Sequence, residues 1–397
     1  MFSYKKSVYI LFIIWSINKL DAHPKNLAWS GGPLHCECEH GIDLWTHAGK
    51  YIKDNVIAIK AVSFNDDIYV ITPRLKRGVL ATLWRVIRGR KGVELEAFPS
   101  MSAHKQGDCD ALQNAVDFHL DHLVEREQIV KAMRAYFFSD DVGAVSPKAS
   151  FTASSVLSSR SGRGNLWILD SGIVETMDYP RCTCPPKAMV INVILKKITK
   201  SIQLSSIVDA TSQLQNIVVE YSIGGTAFVY ISDASNGAIL VINVSSGDVW
   251  SVAACAPANG IQLALVKRDP FHNSLMIIRI HFSGILELDT AILKRKMCNS
   301  PLTVIGENNK PVFLLGFNSY HLYLRHAECA DVLSWDIRKP YTSSNLVNIH
   351  SAGPHMMPTS VFSDPLKYVL LILDSNYPET AHEQQATYHK LTFIGQI

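Results

Sequence analysis

Three groups of residues in this chain have the types and spacing to do chemistry. The first is His35-Cys36-Glu37-Cys38-Glu39-His40. Two thiols and two imidazoles within six positions would suit zinc. In an oxidising compartment the same cysteines form disulfides, and that reading outweighs the metal one, so no metal and no cofactor is assigned. The second group is acidic and aromatic. Asp170 closes the run Leu166-Trp-Ile-Leu-Asp170 and Asp233 closes Phe228-Val-Tyr-Ile-Ser-Asp233, while Thr359 and Phe362 precede the strand-like run Val369 to Leu373. A carboxylate beside an aromatic floor would hold an aromatic amine by charge pairing and stacking. The competing role for Asp170 is to cap a turn through its own backbone. The third group is basic: Arg74, Lys76, Arg77, Arg85, Arg88, Arg90 and Lys91. It reads first as a solvated loop face and second as an anion patch. The histidines, among them His281, His321, His350 and His355, offer proton relays, but their spacing selects none. Gly-x-Ser-x-Gly, Walker and His-Glu-x-x-His motifs are absent from the sequence.

Strands must position these groups. Short β-branched or aromatic runs begin at Ile68, Leu166, Phe228, Leu275, His321 and Val369. The last four recur every 47 residues or so, the length of a four-stranded propeller blade. Ala227 to Val252 shows the internal texture of one blade. Turns at Ser235-Asn236-Gly237 and Ser245-Ser246-Gly247-Asp248 separate its strands, and Ala238 to Val244 is nearly all apolar, as a sheet buried on both faces requires. The fold class expected is all-β, a six-bladed β-propeller. His122 to Phe138 breaks the pattern with a helical period and a Glu127–Lys131 pair, and Ser139 to Arg163 is rich in Ser and Gly. Residues 122–163 are therefore expected to be an inserted helix and loop.

Composition sets the outer bounds. The chain has 397 residues, 47% hydrophobic and 18% charged, with net charge +3 and pI near 8.3. Such a chain can bury a large core and carries too mild a charge to point to nucleic acid. Lys5 and Lys6 followed by the apolar run Ser7 to Ile17 read as a secretory signal, with cleavage expected after Ala22. The expected organisation is a signal peptide at 1–22, an N-terminal segment at 23–54 and one propeller domain over 55–397. The product is expected to be extracellular, with no membrane partner. Asn243-Val-Ser245 is a glycosylation sequon.

Five stretches carry a resemblance. They are NDDIYVITPRLKRGVLATL (65–83), DCDALQNAVDFHLD (108–121), LWILDSGIVETMDYPRCTCPPK (166–187), FVYISDASNGAILVINV (228–244) and LSWDIRKP (333–340). In this order the chain resembles the yellow and major royal jelly protein family of insects. The resemblance implies a secreted six-bladed propeller and a disulfide between Cys109 and Cys184, with Cys182 as a rival for pairing. Family members are associated with cuticle pigmentation and melanin formation. Some convert dopachrome, some bind biogenic amines and some are food proteins. The chain departs from the family in the extra segment 122–163, in a short stretch after Val252, and in Ser334 where a cysteine is expected. The function expected is therefore a non-catalytic secreted propeller that binds a small aromatic amine or catechol. A dopachrome isomerase and a bulk structural or nutrient protein are the alternatives. An isomerase would need a base and a cation for the substrate carboxylate, and the sequence identifies no such pair.

Overall fold

The computed structural model describes residues 26–35, 50–89, 92–120, 164–222, 225–269, 272–296, 302–307, 310–364, 369–377, 380 and 387–396. Six four-stranded antiparallel sheets account for nearly all of them. The first strand, β1 (Leu27–Ser30), belongs to the last sheet. The first blade is β2 (Lys60–Phe64), β3 (Asp67–Ile71), β4 (Leu83–Gly89) and β5 (Gly92–Ala97). The second is β6 (Ala115–Leu120) and β7 (Asn165–Asp170), then, past a small ribbon of β8 (Ile173–Val174) and β9 (Arg181–Cys182), β10 (Lys187–Asn192) and β11 (Lys197–Gln203). The third is β12 (Leu214–Tyr221), β13 (Ala227–Asp233), β14 (Ala238–Asn243) and β15 (Val249–Ala253). The fourth is β16 (Ile261–Lys267), β17 (Asn273–Arg279), β18 (Gly284–Asp289) and β19 (Thr303–Glu307), with a short helix α1 (Thr290–Lys294) after β18. The fifth is β20 (Val312–Phe317), β21 (His321–His326), β22 (Asp331–Asp336) and β23 (Leu346–Ser351). The sixth is β24 (Met357–Asp364), β25 (Val369–Ser375) and β26 (Tyr388–Gln396), completed by β1.

The ring closes because the two ends of the described chain share a sheet. Leu27 pairs with Leu391 and Ser30 with Tyr388. The sixth blade thus takes its outer strand from upstream of residue 55. Apolar side chains then fall into six clusters, one for each seam between neighbouring blades. Ile71 and Leu83 meet Phe118 and Ile168 between the first two blades. Phe362, Leu371 and Leu391 meet Val70 and Trp84 where the sixth blade returns to the first. A blade cannot bury both of its faces alone, so stacking neighbours supplies the core. The burial follows: the third strands β10 and β14 are buried almost throughout, whereas the outer strand β11 exposes Lys197, Thr199, Lys200 and Ser201 to solvent.

The six-bladed expectation is met. The expected helix and loop at 122–163, the signal segment 1–22, Cys36, Cys38, Arg90, Lys91 and Cys298 lie outside the described residues.

Candidate functional site

The inner strands β2, β6, β12, β16, β20 and β24 surround the central channel. Four of them carry a register shift near their start, at Ala115/Asp117, Leu214/Asn216, Leu314/Gly316 and Pro358/Ser360. A bulge re-aims the residue that follows it. Here Asp117, Asn216 and Ser360, together with Lys60 and Gln262, make a girdle that links blade to blade. Ser360 Oγ accepts from Ala61 N at 3.2 Å. Lys60 Nζ donates to Asp117 Oδ1. Asp117 Oδ2 accepts from Asn216 Nδ2 at 2.6 Å and Ile217 N at 2.7 Å. Asn216 Oδ1 accepts from Leu263 N at 2.8 Å. Gln262 Oε1 accepts from Leu314 N at 2.8 Å, and Gln262 Nε2 donates back to Leu314 O. Burial pushes the Asp117 carboxyl above its ordinary range, and the Lys60 ammonium opposes that rise.

Two strand positions beyond Asp117, the His119 ring faces Phe317 of the fifth blade. Their centroids are 6.1 Å apart and their planes 21° from parallel. The two rings come from opposite sides of the ring of blades and are only half-buried. The pair stacks between inner strands of the second and fifth blades, and Phe317 also packs against the two seams of the fourth blade. Nothing in the sequence flagged His119 or Phe317. The pair becomes visible only once β6 and β20 are known to face each other.

The residues expected at the mouth have other work. Asp170 is fully buried. It accepts from Gln113 N at 2.7 Å, Asn114 N at 2.8 Å and Gly172 N at 3.0 Å, and lies 3.6 Å from Lys187 Nζ. Asp233 stands at the equivalent end of β13 and accepts from Gln213 N at 3.0 Å and Asn236 Nδ2 at 2.8 Å. Both fasten the chain entering their own blade, which is the turn-capping role. Thr359 is the extra residue of the β24 bulge and donates to Leu373 O at 3.2 Å. Phe362 is buried in the seam between sixth and first blades. The four do not converge on one another. Asn243 ends β14, its Oδ1 accepting from Ser245 N at 3.1 Å on an exposed turn.

Three of the five quoted stretches do converge. Arg74 of PRLKRG is buried and donates to the carbonyls of Val79, Leu80, His104, Leu112 and Gln113. Its backbone N–H reaches Asn114 Oδ1 at 2.6 Å. Asn114 in turn feeds Asp170, and Lys187 of CPPK donates to the carbonyls of Cys109 and Ala111. Cys109 and Cys184 form a disulfide across the same place. Burial lowers the Arg74 guanidinium to about 10, with Asp170 pulling it back up. The basic run is thus no surface patch at its start: Arg74 and Lys76 are buried, and Arg85 pairs with Glu96 at 2.6 Å. Gly172 shows how tight the knot is, since a Cβ there would lie 1.9 Å from Cys184 O.

Of the possible metal cluster, only His35 is described, and its Nδ1 lies 2.7 Å from Glu94 Oε2. Among the described residues no group of three or more His, Cys, Asp or Glu side chains could hold a metal ion. Among these residues Cys182, Cys255 and Cys329 carry free thiols. No described helix is long and apolar enough to cross a membrane.

Residues 161–259 match the family model described as Major royal jelly protein. The matched stretch holds the LWILDSG and CPPK motifs and the whole third blade. No curated protein matches the chain. Among solved structures, a mutant α-L-arabinofuranosidase from Fusarium graminearum, in complex with an iminosugar inhibitor, is 8% identical over 92% of this chain and 98% of its own, with a TM-score of 0.48. An auxiliary nutrient binding protein from Bacteroides thetaiotaomicron is 9% identical over 94% and 77%, with a TM-score of 0.46. A luciferin-regenerating enzyme is 9% identical over 86% and 92%, with a TM-score of 0.45.

Proposed function

We propose that this chain, a six-bladed propeller with a major royal jelly protein segment at 161–259, is a secreted binding protein for a small aromatic amine or catechol of the kind used in pigment and melanin chemistry. The observation that carries the reading is the His119–Phe317 pair in the channel. Two nearly parallel rings offer flat faces to a third, and stacking of that kind contributes about 0.5–1.5 kcal/mol per pair beyond burial. Asp117 shares the His119 side of β6, so its carboxylate borders the same space. A ligand ammonium would compete with Lys60 for that carboxylate, and catechol hydroxyls would donate to it. The disulfide supports an extracellular setting.

Calorimetric titration with dopamine, serotonin and octopamine tests this. The expected result is binding that the His119→Ala/Phe317→Ala double variant weakens at least tenfold. No heat at millimolar ligand, from protein with a native circular dichroism spectrum, would sink the proposal. Dopachrome absorbance, followed with the same protein, separates binding from isomerisation: decay at the buffer rate supports the non-catalytic reading.

A further inference from the structure

The seam between the fifth and sixth blades has the smallest apolar cluster of the six, and polar groups gather at one edge of it. Phe313 of β20 pairs with Arg325 of β21, and Val332 of β22 pairs with His350 of β23. Leu324 pairs with Leu333, so continuing that register sets Arg325 beside Val332. Residues in one such row share a face of the sheet. Val332 belongs to the cluster facing the sixth blade, so Arg325 and His350 flank it on that face. Two strand spacings, about 10 Å, separate their backbones, and both side chains are long enough to close much of that gap.

The sixth blade answers with two groups. Asp374, one residue before the end of β25, pairs with Pro358 ahead of the bulge as Asp170 and Asp233, at the ends of β7 and β13, pair with Ala115 and Leu214. Its partner, unlike theirs, is an imidazole. His350 Nε2 lies 3.0 Å from Asp374 Oδ2 and 3.3 Å from Oδ1. The carboxylate is 1% exposed and the imidazole 10%. Tyr377, three residues on, is near enough that the Arg325 guanidinium opposes the rise that burial gives its phenol. Burial pushes the Tyr377 phenol up and the Arg325 guanidinium down from their ordinary ranges.

The hydrogen bonds leave a specific remainder. Arg325 lies over the Phe313 ring at 4.5 Å and donates through Nη1 to the carbonyls of Ala327 at 3.0 Å and His326 at 3.3 Å. Its Nε is buried without a hydrogen-bond partner. The Nε–Nη2 edge is the edge that grips a carboxylate in two parallel hydrogen bonds. His350 Nε2 donates to the Asp374 carboxylate, and in that tautomer Nδ1 is the acceptor. A two-pronged donor and a single acceptor therefore stand on one face of one sheet.

We propose that this seam binds a small carboxylic acid that bears a neighbouring hydroxyl or amino group, the carboxylate on Arg325 and the donor on His350 Nδ1. Asp374 positions the imidazole for that contact. The site lies between two blades rather than in the channel, and it does not depend on the His119–Phe317 reading.

L-Phenylalanine and phenethylamine differ by the carboxylate alone, and calorimetry with both is the test. L-Phenylalanine is expected to bind, and Arg325→Met to weaken it at least tenfold without changing any heat seen with phenethylamine. Arg325→Lys keeps the charge but loses the fork, and is expected to weaken L-phenylalanine several-fold. It also serves where the Met variant fails to give a native circular dichroism spectrum. His350→Gln is expected to weaken L-phenylalanine and spare acetate, which has no second donor. The His119→Ala/Phe317→Ala variant is expected to keep the Arg325-dependent part of L-phenylalanine binding, which separates this site from the channel. No binding at 10 mM L-phenylalanine (roughly the weakest affinity such a site could use), or equal affinity in parent and natively folded Arg325 variants, overturns the proposal.

Discussion

Asp170→Asn separates the two roles open to the Asp170 carboxylate. Its oxygens accept three backbone N–H groups at 2.7–3.0 Å and face Lys187 Nζ at 3.6 Å, with both side chains sealed from solvent. Asparagine keeps the shape, but one of its terminal atoms is a donor, so either Gln113 N or Asn114 N loses its acceptor. A buried donor left unpaired costs about 1–3 kcal/mol. The Lys187 ammonium also loses its counter-charge, and breaking a buried pair from one side costs about 3–5 kcal/mol. The two effects share the same atoms and do not add fully, so the expected loss is about 3–5 kcal/mol. Against a total stability of about 5–15 kcal/mol that is severe. Asp233→Asn is the control. Asp233 holds one backbone N–H at 3.0 Å, another at 3.5 Å and the Asn236 amide. No ion pair to Asp233 is found among the described residues, and about 1 kcal/mol is expected. Urea unfolding under non-reducing conditions reads both, with an unchanged m-value confirming that only stability moved. An Asp170→Asn loss under about 1 kcal/mol, or one no larger than that of Asp233→Asn, refutes the argument. A stable Asp170→Asn protein that no longer bound dopamine would return this carboxylate to a ligand role.

Acid should unfold the protein through two buried imidazoles. Burial lowers His104 and His389 to about 3, against roughly 6.5 in the unfolded chain. Their neutral forms stabilise the fold fully above pH 6.5, and that contribution fades as pH falls toward 3. Each should add about 1.4 kcal/mol per pH unit to the slope of stability between pH 4 and 6, and His389→Gln should remove one such share. At the fifth–sixth seam, a Cβ on Gly316 would lie 1.8 Å from Val361 O. Gly316→Ala should therefore cost about 1–3 kcal/mol, read as a lowered thermal midpoint, whereas Gly353→Ala meets nothing and should be silent.

The blades were legible because each carries a complete local signal. The apolar run Ala238 to Asn243 sits between two Gly-containing turns, and it forms a strand buried on both faces. Spacing then counted six units, since blade length is set by four strands and three turns. The closure was not legible. LAWS at 27–30 is too short and mixed to announce a strand, and its partner lies some 360 residues away. Pairing at that distance leaves no pattern in either segment alone. The girdle was hidden for a related reason. A bulge shifts the alternation of inside and outside by one residue, so Asp117, Asn216 and Ser360 read as ordinary strand positions until the register is known.

Site residues failed differently from fold residues. A carboxylate at a strand end looks the same in sequence whether it faces a ligand or caps a turn. What separates the cases is whether backbone N–H groups reach it first. At Asp170 and Asp233 they do, because the chain entering β6 and β12 passes directly over the oxygens. At Asp374 the neighbour is His350 from the adjoining blade, a contact that joins strands of different sheets. The motifs most visible in the sequence, PRLKRG, CDALQ, LWILDSG and CPPK, are visible because they build one knot from Arg74, Asn114, Asp170 and Lys187. That knot fixes two blades against each other. It follows that a chain can keep all four motifs while its ligand groups change freely elsewhere. Chemistry in this fold is therefore to be sought where seams are least apolar and a buried donor such as Arg325 Nε has no hydrogen-bond partner, and in the channel where the His119 and Phe317 rings stack.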